Sequence, residues 1–138
     1  MYEQRRHRGG GASASVRWDA ERACLVLAGE FDIDSVPVAG EALSAVPATV
    51  REVVVDVRAV GFADCALLGL LVAARGTRSL TLGGPLPVAL ERLLAATGTR
   101  GLFPVVRAAA PAEYAAVHPP LPLRGQRVPA ASYVPPAR

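Results

Sequence analysis

The 138-residue sequence has no lysine, only two cysteines and only two histidines. Two thiols, Cys24 and Cys65, do not make a disulfide framework, and a chain of this length buries an adequate core without staples or a structural metal. A reducing, cytoplasmic setting is the expectation that follows. The longest apolar run, Cys65 to Ala74, is about half of the roughly 20 residues a spanning helix needs, so no direct membrane insertion is expected. No apolar segment backs the basic residues among the first eleven, which excludes a secretory signal of the usual kind.

Chemical motifs are equally sparse. There is no glycine-rich phosphate loop, no zinc-spaced cysteine set and no Gly-x-Ser-x-Gly elbow. His7 and His118 both fall in segments that read as tails, so a Cys–His pair would have to join Cys65 to a residue with no fixed place. No catalytic residue, metal ligand or cofactor is expected, and the chain does not read as an enzyme.

What is present is a single domain's worth of apolar residues, 51% of the chain, with 20% charged. The net charge of +3 is unevenly spread. Arg5, Arg6, Arg8, Arg124, Arg127 and Arg138 stand near the ends against Glu3 alone, while residues 12–117 hold nine arginines against eleven acids. The basic excess thus belongs to the ends, and no folded nucleic-acid surface is indicated. Residues 1–11 are Arg- and Gly-rich without periodicity, and residues 118–138 contain six of the twelve prolines. Both are expected to be disordered or loosely packed tails on a domain spanning residues 12–117.

Within that domain, Ser15–Trp18 and Ala23–Ala28 flank the polar turn Asp19–Arg22, as in a hairpin. Asp34 or Ser35 can cap a helix in which Ala39, Ala42, Leu43 and Val46 share a face, with Pro47 ending it. Glu52–Val57 is a β-branched run with almost no alternation, expected of a central strand covered on both sides. Asp64 caps a helix to about Arg75, Ser79–Leu82 is a short strand, and Leu86, Leu90, Leu93 and Leu94 line a helix ended by Gly98. Leu102–Val106 reads as an edge strand because of Pro104, and Pro111–Val117 as a final helix. The fold class is α/β: an opening hairpin, then alternating strands and helices in a mixed sheet with the helices mainly on one face.

Two places draw attention as sites. The acids Asp32 and Asp34 lie in a strand-to-helix loop, where carboxylates commonly serve as caps and turn formers. Cys65 stands at the start of the helix capped by Asp64, where unpaired N–H groups favour an anion such as a phosphate or thiolate. The plainer alternative is a small, semi-buried cysteine with a packing role. That helix is apolar nearly all round: Leu67, Leu70, Leu71 and Ala74 make a core stripe, and Cys65, Leu68, Gly69 and Val72 a second stripe that something must cover.

The succession Leu27–Asp32, Val53–Leu71, Pro87–Gly98 and Leu102–Val105 resembles the STAS family, the domains of anti-sigma-factor antagonists and of sulphate-transporter tails. The resemblance covers roughly residues 15–117 and implies a STAS-like single domain. In the antagonists the strand-to-helix turn reads Asp-Ser-Ser/Thr-Gly-Leu-Gly, and a partner kinase phosphorylates the first Ser. Here the turn reads Asp64-Cys65-Ala66-Leu67-Leu68-Gly69, so the acceptor position holds Cys65 and Ala66 and lacks a hydroxyl. Leu67, in place of the first Gly, is expected to obstruct the partner's nucleotide site.

The resemblance implies a non-catalytic protein-interaction module that binds an ATPase-type anti-sigma factor or related regulator in a bacterial cytoplasm. Transcription would be regulated through release of a sigma factor, without the Ser switch. Its contacts would come from Asp32, Asp64, Cys65, Leu68, Gly69 and Val72. The alternatives are a structural STAS subunit or scaffold of another assembly, such as a lipid-transport ATPase, and a thiol-based redox sensor at Cys65.

Overall fold

Apolar residues alternate at Ala12, Ala14 and Val16, and again at Ala23, Leu25 and Leu27, a period that gives paired strands with one dry face. The computed structural model describes residues 3–107, with side chains from His7 onward. Strands β1 (Glu3–Gly9), β2 (Ala12–Trp18) and β3 (Arg22–Phe31) form an antiparallel meander. The chain then runs through α1 (Val36–Ser44), β4 (Glu52–Ala63), α2 (Cys65–Arg75), β5 (Ser79–Gly84), α3 (Val88–Thr97), a 3-10 turn (Arg100–Leu102) and β6 (Val105–Arg107). The six strands lie in sequence order, and β3 to β6 are parallel neighbours.

Each parallel crossover steps the same way across the sheet, so right-handed connections put the helices on one face. The core follows from this. Val16, Leu25, Leu27, Val53, Val55 and Leu82 on that sheet face pack with Ala39 and Ala42 of α1, Leu67 and Leu71 of α2, and Leu90 and Leu94 of α3 in one apolar cluster. The expected central strand is β4, paired on both sides, and it runs six residues beyond Val57. Gly98 ends α3 in the left-handed conformation, φ +71°. The last strand is shorter than expected and does sit at the sheet edge: Leu102 belongs to the 3-10 turn, and Pro104 offers only its carbonyl, to Leu82 N–H at 2.8 Å.

The opening of the chain corrects the sequence reading. Glu3–Gly9, expected as part of an unstructured tail, pairs along its whole length with β2, and His7 Nδ1 lies 3.5 Å from Glu41 Oε1 of α1. Its charged residues hid the strand, because an edge strand needs only backbone pairing and tolerates charge on its side chains. The signal was Gly9-Gly10-Gly11: Gly10 and Gly11, at φ +60° and +84°, form the two-residue hairpin turn that glycine favours. The expected helix at Pro111–Val117, the domain limit at residue 117 and the tail 118–138 lie outside the described residues.

The turn packs on the next strand. Gly29, at φ +96° beside a register shift, brings its α-carbon so close to the Gly11 carbonyl oxygen that a Cβ would overlap it. Gly29→Ala should therefore lower stability by about 2 kcal/mol or more. Gly69→Ala, in mid-α2 with nothing within 4 Å of a new Cβ, should raise it by up to about 1 kcal/mol. Urea midpoints at unchanged slope check both; a neutral Gly29→Ala would contradict the geometry.

Candidate functional site

Parallel pairing of β3 with β4 ends the two strands side by side, so their strand-to-helix turns are neighbours. Phe31 is opposite Ala63, and the Phe31 carbonyl accepts the Asp64 N–H at 3.2 Å. In open α/β sheets this carboxyl end of the strands is where sites form. The expected residues Asp32 and Asp64 are thus brought together on adjacent turns.

The first turn is organised by Asp32. Its Oδ1 accepts the N–H of Asp34 at 3.0 Å and of Ser35 at 2.9 Å, and lies 3.0 Å from the Ser35 hydroxyl. Ser35, 2% exposed, accepts the Asp32 N–H at 3.0 Å, and its one O–H is shared between the Glu30 carbonyl oxygen at 2.8 Å and Asp32 Oδ1. The helix start expected at Asp34 or Ser35 is at Ser35, yet its hydroxyl makes no capping bond; it ties the turn back to β3 instead. The Ser35 N–H first, then its hydroxyl and the Asp34 N–H, hold the Asp32 carboxyl below its usual value of 3.8. Asp32 is therefore engaged within its own turn, and what the turn presents outward is Ile33, 73% exposed, with Asp34 beside it.

The second turn is simpler. Asp64 is extended and accepts the Ala66 N–H at 2.8 Å, the capping bond expected from the sequence. Cys65 follows with its side chain exposed, not semi-buried. Leu67 and Leu71 enter the core, while Gly69 and Val72 are exposed, Val72 at 39%. Leu68, assigned from the sequence to the outer stripe, is only 7% exposed and packs in the core. At about 100° per residue it lies only 60° from Leu71, inside the buried arc. The outer line is thus Cys65, Gly69 and Val72. Phe62, 46% exposed at the end of β4, and Ile33 are surface apolar residues missed in the sequence; a lone isoleucine between two aspartates was the available signal.

The arrangement offers two turns each closed on a carboxylate, an exposed thiol and apolar surface, and among the described residues no group of three His, Cys, Asp or Glu side chains placed to hold a metal. No described helix is long and apolar enough to cross a membrane. The family model described as "Mlab, STAS domain" matches residues 14–106, two thirds of the chain, and spans β2 to β6 together with both turns. The chain belongs to the STAS domain family. Its fold is similar to the crystal structure of an anti-sigma factor antagonist from Mycobacterium paratuberculosis, with a TM-score of 0.51 at 22% identity over 76% of this chain and 85% of that chain. No curated protein gives a significant match.

In this STAS domain the α2 turn carries the capping Asp64 followed by Cys65 and Ala66, neither of which has a hydroxyl. Leu67, expected from the sequence to stand in a partner's way, has its side chain wholly buried. Asp32 supplies a measurable property. A carboxyl depressed in the folded state adds stability that is complete above its unfolded value and is lost as pH falls from there through the lower folded value. Asn at position 32 keeps the acceptor oxygen but does not titrate. Between about pH 5 and about pH 2 the thermal midpoint of the wild type should fall more steeply than that of Asp32→Asn; parallel curves would show that the Ser35 bonds do not favour the ionised form.

Proposed function

We propose that this STAS domain is a non-catalytic protein-interaction module that binds an ATPase-type anti-sigma factor or related regulator in a bacterial cytoplasm. It would act on transcription by competing for that partner, without the Ser phosphorylation switch. One observation carries the reading: α2 is core-packed through Leu67, Leu68, Leu71 and Ala74 yet leaves Cys65, Gly69 and Val72 open along one line from its capped start. A helix of this kind gives an aliphatic centre for a partner, and the acids at its end give a charged rim. Asp64 and Asp34 would face a basic partner surface, and Asp32 would contribute by holding the turn that carries Asp34 and Ile33. Leu68 would support the surface from beneath.

A second reading, a structural STAS subunit of another assembly such as a lipid-transport ATPase, is favoured by the missing hydroxyls at Cys65 and Ala66, since a scaffold needs no switch. Capture from the native host with the wild-type domain as bait, read by mass spectrometry, separates the two: an ATPase-type anti-sigma factor supports the first, transporter subunits the second.

Val72→Glu places a charge at the far end of the line at a position already 39% exposed, so the domain should stay folded. Binding to the captured partner should weaken by more than about 2 kcal/mol, roughly thirtyfold. Unchanged binding by a folded variant would exclude α2 as the interface. Incubation with an anti-sigma kinase and ATP should leave residues 64–69 unmodified in peptide mapping, and phosphate on any of them would contradict the absence of a switch.

A further inference from the structure

The face of the sheet turned away from the helices poses a different question. Alternation along the strands directs Ser15, Arg22, Cys24, Val26, Asp56 and Val106 to it, since their strand neighbours enter the helix-covered core. Among the described residues no helix or strand is stacked on this face. It is nevertheless largely dry, with Val54 and Thr81 half-buried: Cys24 is 0% exposed, Ser15, Val26, Asp56 and Val106 are each 2%, and Arg22 is 4%. Neighbours in a sheet shield one another's flanks and leave the tips open, so burial this complete in a single chain requires a layer above.

The polar groups on the face are also those of an interior. Asp56 Oδ2 lies 2.8 Å from Arg58 Nη2, and Oδ1 accepts from both Arg58 Nε and the Arg58 backbone N–H at 3.1 Å, a two-pronged pair with both side chains buried. Arg22 Nε sits 3.3 Å from Glu52, while Arg22 Nη1 is sealed from water with no hydrogen-bond acceptor. A sealed guanidinium N–H needs an acceptor, and a backbone carbonyl is one.

The chain supplies a fitting layer. After Arg107 thirty-one residues remain, and they start next to Val106, whose side chain already lies on this face. Six strands spaced about 4.8 Å apart span roughly 24 Å, which eight extended residues cover. Residues 118–138 hold six prolines, each with a carbonyl and no N–H, together with Leu121, Leu123, Tyr133 and Val134. An extended proline-rich chain keeps its carbonyls unspent, the complement of a face whose cations are arginine donors. We propose that the helix-free face of the sheet is the docking surface for the chain's own residues 108–138, with carbonyls of the proline-rich part over the Arg22 guanidinium.

The test uses the full chain with a photoreactive benzoylphenylalanine at Thr81, a half-buried position on the same face of β5. A second variant with it at Ser13 of β2 serves if the first does not fold. Irradiation should give cross-links at monomer mass that map to peptides within 108–138. In the native wild-type chain, peptide-resolved thiol labelling should modify Cys65 at least about tenfold faster than Cys24, because only a transient opening exposes the latter. Cross-links that join two copies, or that form but avoid 108–138, would overturn the assignment. So would a folded variant that forms none, or a Cys24 that labels as fast as Cys65.

Discussion

The parallel pairing of β3 with β4 is the interaction on which the rest of the molecule depends. It joins the antiparallel meander to the crossover half of the sheet, and it places the two strand-to-helix turns side by side through the bond from Asp64 N–H to the Phe31 carbonyl. Each turn then closes on its own carboxylate, Asp32 on Ser35 and Asp64 on Ala66. Backbone groups freed where strands give way to helices are thereby satisfied locally, and the side chains between them, Ile33 and Cys65, are left to face outward.

The same division shapes α2. Its buried arc is continuous with the core, and its outer line is small or aliphatic, so the helix can be rigid and still present apolar surface. The cap that shapes the start of α2 is the Asp64 carboxylate and not the residue that follows it, so the side chain at position 65 is left free of that role.

The two faces of the sheet are built on opposite rules. One is wholly apolar and packs on helices; the other interleaves Cys24 and Val26 with Arg22, Asp56 and Arg58. Charges held that dry contribute little net stability and a strong preference for one arrangement, since any slip leaves a buried ion without its partner. The Asp56–Arg58 pair lies within one strand, next to the register shifts where β4 leaves regular pairing with β3, and it fixes the strand at that point.

Much of this was legible in the sequence, because period and turn chemistry are local. The β2–β3 hairpin, the central strand at Glu52–Val57, the Asp64 cap, the Gly98 stop and the order of strands and helices all follow from residues within a few positions of one another. The edge strand β1 did not, since its pairing is paid for by backbone bonds to β2 that no side-chain pattern records. Nor did the role of Asp32: one carboxylate in a loop serves a partner or its own turn equally well until Ser35 is seen to fold back beneath it. Leu68 makes the same point on α2, where sequence determined that the helix is apolar all round and only its packing against the sheet decided that this leucine is core. Local sequence thus determined the elements and their caps, whose energies arise within a turn or two. Tertiary structure decided which groups those elements leave free, because burial depends on what lies opposite, and that is set by residues distant in the chain.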